Sequence, residues 1–94
     1  MVEHFGLGRS DAEAVLEQAR QLQQDSSSMH DFTYRLRTRM DPQARAELVE
    51  WLWKVAFADG RLDRHEEHLI RRLADLLGTP HHEFIRRKHQ ARSS

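Results

Sequence analysis

Leu48-Val49-Glu50-Trp51-Leu52-Trp53-Lys54-Val55-Ala56-Phe57-Ala58 runs into Asp59-Gly60, and Asp63-Arg64-His65-Glu66 follows two residues later. The first run is apolar on nearly every face. A helix built from it needs cover on several sides, so it reads as the central helix of its domain. Asp59-Gly60 stops it. Asp63 with Glu66 three residues on has the pattern of a capping box, which restarts a helix. That second helix buries one stripe, Leu69, Ile70, Leu73, Leu76 and Leu77. The rest of the chain reads as packing for this pair, and the one candidate site is the turn between them.

Outward from the pair, Asp41-Pro42 starts the central helix with proline at its first position, where no backbone N–H is needed. It runs to about Ala58, and the next helix from Arg64 to Leu77. Gly78 ends that one and Thr79-Pro80 opens another, with Phe84 and Ile85 inward. Residues 89–94 read as a disordered tail. Upstream, Ser10-Asp11-Ala12-Glu13 has the form of a capping box for a helix from about Asp11 to Gln24, with Ala12, Val15, Leu16, Ala19 and Leu22 at 3.6-residue spacing. Ser28 with Asp31 starts a second helix, with Met29, Phe32, Leu36 and Met40 inward. No strand pattern occurs. The expected fold is all-α, about five short helices in one compact bundle spanning residues 1–94.

Ninety-four residues make one small domain. Charged residues are 32% and hydrophobic ones 38%, which suits a helical protein with a thin core. Fifteen basic and fifteen acidic residues cancel, so no global field points to nucleic acid or a membrane. Cysteine is absent, which removes disulfides and thiolate metal sites. No run approaches the ~20 apolar residues of a membrane span. With no secretory signal pattern either, the expected location is the cytoplasm.

Catalysis lacks parts. There is no Gly-x-Ser-x-Gly elbow and no glycine-rich phosphate loop, so an enzyme is not expected. The seven histidines do not make a zinc pattern: His65 and His68 stand at i and i+3, not i and i+4. Arg35, Arg37 and Arg39 do not share one helix face, and Arg86-Arg87-Lys88-His89 sits where the helix dipole favours cations. Both read as solvated surface ahead of nucleic acid, with an acidic lipid or acidic partner a lesser reading. Trp51 and Trp53 cannot face the same way on a helix. One belongs to the core, and the other lies under the second helix or at an interface.

Asp59-Gly60-Arg61-Leu62-Asp63-Arg64-His65-Glu66 resembles the second half of an EF-hand loop. The two earlier acidic positions fall on Val55 and Phe57, so it is not an EF-hand. Its candidate metal ligands are Asp59, the carbonyl of Arg61, Asp63 and Glu66. Such a set would hold Ca²⁺ or another divalent cation weakly, with a Kd on the order of 10⁻⁴ to 10⁻³ M. The plainer reading gives Asp63 and Glu66 a reciprocal capping role and Gly60 a turn. Asp59 is left over. A carboxylate at a helix C-terminus opposes the macrodipole by roughly 0.3–1 kcal/mol, so a cation, Arg61 or Arg64 should offset it.

Leu52-Trp53-Lys54-Val55-Ala56-Phe57-Ala58-Asp59-Gly60, with Leu62, Asp63, Glu66-Glu67 and His68-Leu69-Ile70-Arg71-Arg72-Leu73-Ala74, resembles the tellurite-resistance TerB family. Leu76-Leu77-Gly78 and Phe84-Ile85-Arg86-Arg87-Lys88 continue the likeness, and Phe5 to Asp41 follows it loosely. The resemblance implies an all-helical, two-repeat domain with an acidic cluster proposed to bind metal, here Asp59, Asp63 and Glu66. It implies a non-enzymatic role in stress response and tellurite resistance, through protein partners near the inner membrane. The alternative is a co-chaperone-like interaction module in which the acidic turn only caps helices and contacts a partner. The family pattern begins with an earlier helix pair carrying its own Ala-Asp-Gly turn, which this chain lacks, and Phe5-Gly6-Leu7-Gly8 reads like a helix end. The chain is therefore expected to be N-terminally incomplete or shortened, holding the second half and part of the first. The missing pair should leave Trp51, Trp53 or Phe57 partly uncovered, and two chains should associate there.

Overall fold

The computed structural model of the protein describes residues 8–60 and 63–93. Five helices follow one another: α1 (Arg9–Leu22), α2 (Ser26–Thr38), α3 (Pro42–Asp59), α4 (Arg64–Leu77) and α5 (His81–Ser93). The fold is all-α. The features expected at Phe5-Gly6-Leu7 lie outside the described residues.

α3 is the central element. Asp41 caps it by accepting from the Ala44 N–H at 2.8 Å, and Pro42 holds its first position. It buries Ala46, Leu48, Val49, Leu52, Trp53, Val55 and Ala56, residues that point to several sides, and it packs against α5, α1 and α4. Each large side chain in that set contributes about 1.5–3 kcal/mol on leaving water. α4 is its opposite in pattern, with one apolar stripe of Leu69, Ile70, Leu73, Ala74 and Leu77 and a half-buried Leu76. Trp53 is the core tryptophan, 0% exposed, with Phe84 at 5.2 Å and Phe57 at 5.9 Å between ring centroids. Trp51 and Phe57 are half-buried, so part of α3 is uncovered as expected, though not at Trp53.

Two helix starts differ from the expected ones. α1 begins at Arg9 with Gly8 as cap, whose N–H donates to Asp11 at 3.1 Å, so Ser10 and Glu13 do not form the box. α2 begins three residues early, because Asp25 accepts from both the N–H and the hydroxyl of Ser28. Ser28 is thus a donor inside the first turn and not the cap. The end of the chain differs too. α5 stays helical through 89–93, where a tail was expected, because Ala91 is buried (6% exposed) and anchors the last turn.

Candidate functional site

The α3–α4 turn is built from two terminators. At its near side the chain takes a left-handed step at Gly60, φ +66°, and the Gly60 N–H closes back on the carbonyls of Ala56 and Phe57. A side chain there would meet no described residue, so what the described structure asks of the glycine is the backbone angle. At its far side Asp63 caps α4 by accepting from the Glu66 N–H at 2.9 Å. That bond holds the Asp63 carboxyl below its ordinary range.

Glu66 does not return the favour. Its carboxylate leaves the turn and meets Arg20 of α1, with Nη2 donating to Oε2 at 2.6 Å and Nε donating to Oε1 at 3.4 Å. The capping box is therefore half formed. Arg20 also donates to Glu17 at 3.1 Å, and the Glu66 bond leads the causes that raise its pKa. Glu66 is only 8% exposed, so the guanidinium is what makes its burial tolerable. Its neighbour Glu67 points elsewhere, to Lys88 of α5 at 3.0 Å, and the same ammonium lies 5.1 Å over the Trp53 ring.

Of the three expected ligands, Asp59 at the end of α3 and Asp63 before α4 are exposed, and Glu66 is turned inward. The Arg61 carbonyl lies outside the described residues. Among the described residues no three metal-ligating side chains converge. As arranged, then, these carboxylates do not fit a three-carboxylate cation site unless Glu66 gives up Arg20. Asp59 is exposed and makes no ion pair with a described residue, Arg64 included.

The chain matches the family model described as tellurite resistance protein TerB over residues 1–89. It belongs to the TerB family. No curated protein and no solved structure matches it. TerB membership makes this a tellurite-resistance-associated helical domain, in a family of non-catalytic helical domains. Among the described residues no helix is long and apolar enough to cross a membrane.

Set against the TerB resemblance, the residue the sequence did not reveal is Arg20. It lies 46 positions before Glu66, on a helix whose spacing says nothing about α4. The only local hint was a lone arginine in the last turn of a mainly acidic helix. The basic run Arg86-Arg87-Lys88 is largely spent on carboxylates: Arg86 and Arg87 on Glu83, Arg87 on Glu50, Lys88 on Glu67.

Proposed function

We propose that this TerB domain is a non-enzymatic stress-response module that acts by contact with a protein partner, in the cytoplasm and at the periphery of the inner membrane. In this reading the acidic turn caps α4 and presents Asp59 for contact. The observation that carries it is the Arg20–Glu66 pair, which takes one of the three carboxylates a cation site in this turn would use. The partner is membrane-associated, in keeping with the family's role. A calcium titration followed by amide NMR tests the reading. Shifts at Gly60 and Glu66 should stay unsaturated through millimolar metal, and saturation well below that would overturn it. Asp59→Ala should weaken capture of the partner equally with and without chelator.

A second reading rests on Asp59 itself. Its carboxylate sits at the negative end of α3 without a described cation, which favours a weak divalent ion shared with Asp63. That reading requires Arg20→Met, which frees Glu66, to tighten calcium binding. Unchanged or weaker binding in this variant would end it.

A further inference from the structure

We propose that the groove between the C-terminal half of α3, the start of α1 and the end of α5 docks an acidic peptide segment carrying an aromatic or long aliphatic side chain. The groove has a volume of about 440 Å³. Half-buried Trp51 and Phe57 and buried Ala91 form its floor, and Arg9, Lys54 and Arg92 stand around it. Asp59 follows the groove residue Ala58 in the chain but does not line the groove, and neither do Asp63 and Glu66, so the inference holds whether or not that turn takes a cation.

The charge pattern selects the occupant. Among the described residues no carboxylate lines the groove. Lys54 lies 4.6 Å over the Trp51 ring and is partly neutralised by Glu50 at 3.5 Å. Arg9 and Arg92 have no ion pair among the described residues, while Arg86, Arg87 and Lys88 earlier on α5 are all paired. Arg9 also stands in the first turn of α1, where a cation works against the helix dipole. Unspent positive charge around an aromatic floor attracts an anionic segment and rewards one apolar side chain that enters it.

Two other occupants fit less well. A bilayer needs aromatic rings that protrude, and these two are half-buried. A second copy joined by a two-fold axis would set Arg9, Lys54 and Arg92 against their own copies, like charge on like.

Trp51 lines the groove and Trp53 does not, so a fluorescence change that Trp51→Phe removes reports on the groove. The probe is the synthetic peptide acetyl-Glu-Asp-Phe-Glu-Asp-amide. Two controls accompany it, one with alanine for phenylalanine and one with every acid replaced by its amide. The full peptide should change Trp51 fluorescence saturably, and each control should bind at least about tenfold more weakly. Arg9→Glu, a change that the α1 dipole favours, and Ala58→Trp, which fills the groove from an exposed position, should each cost about tenfold in affinity. Asp59→Ala, which weakens partner capture in the acidic-turn reading, should not weaken this binding, so failure here is separable from failure of that reading. Equal binding of the controls, or insensitivity to both groove variants, would overturn the proposal. So would a larger Trp51 response to phosphatidylglycerol vesicles than to the peptide, or self-association that Trp51→Ala abolishes.

Discussion

α3 and α4 end in the same way and are then treated differently. Each closes on a left-handed glycine, Gly60 at φ +66° and Gly78 at φ +80°, whose N–H bonds back into the last turn. Neither has a basic residue in that turn. At α4 the deficit is met from outside. Arg45 of α3 donates Nη1 to the Leu77 carbonyl at 3.1 Å and Nε to the Met40 carbonyl at 3.1 Å, tying the α4 end to the α2–α3 joint. At α3 Arg20 of α1 makes no bond to the end of the outgoing helix among the described residues and grips Glu66 at the start of the incoming one. The α4–α5 joint is complete within the chain. The α3–α4 joint holds α4 firmly and leaves the negative end of α3, with Asp59 on it, facing outward.

The largest expected effect comes from breaking the α3–α4 joint at its arginine. Arg20→Met strands a nearly buried carboxylate, and a loss of about 2–4 kcal/mol should appear in urea unfolding. Glu66→Gln, which keeps hydrogen-bonding capacity and removes the charge, should cost less than Arg20→Met. Equal costs would mean that Arg20 acts through packing and not through its charge. At the other joint Arg45→Met removes bonds to two neutral carbonyls and strands no charge, so about 1–2 kcal/mol is expected there.

The glycines sharpen the same contrast. Alanine at either position is strained by about 1–2 kcal/mol in the left-handed region. At Gly60 no described residue stands in the way. At Gly78 the new methyl would meet Arg45 at 3.3 Å and Arg37 at 3.4 Å. Gly78→Ala should therefore be the more destabilising of the two, and thermal unfolding of the pair decides it.

How far these joints were legible in the sequence follows from what holds them. α4 has the bounds expected of it, Arg64 to Leu77, because Asp63 and Gly78 are unambiguous terminators and its apolar stripe is strong. α3 is equally plain from Asp41-Pro42 to Asp59. The starts of α1 and α2 were not, since several short polar residues compete for each cap. Tertiary packing of Ala12, Leu16 and Met29 chooses among them. The last turn of α5 looked like a tail because its composition is polar, and one buried alanine outweighs that. In the candidate site the Asp63 half of the capping box was visible because it is local. The Glu66 half failed because a guanidinium from a distant helix competes with a backbone N–H for the same carboxylate, and the charged donor wins.

Acid separates the local bond from the distant one. Asp63 has its pKa lowered in the folded state, so its stabilisation is present above the ordinary aspartate value and disappears as pH falls through the depressed one. Asp63→Asn keeps a capping oxygen that does not titrate. Stability of this variant should fall less steeply than that of the parent below pH about 4, read from urea midpoints across pH. Parallel slopes would show that the cap does not depend on its charge.

The smallest effect bears most directly on why α3 ends as it does. Asp59 sits in the last turn of the central helix, exposed, where the dipole disfavours an anion and where no described cation offsets it. For the stability of the fold alone this is the wrong sign. Asp59→Lys should then stabilise the isolated domain by about 0.3–1 kcal/mol, with the gain shrinking as salt is raised. A gain measured with chelator present means that the aspartate is kept for something the free domain does not contain, whether a partner or an ion. A loss under the same conditions would place its stabilising partner inside the chain. The α3–α4 joint would then be as self-sufficient as its counterpart at Gly78, and both readings that depend on an outward-facing Asp59 would fail together.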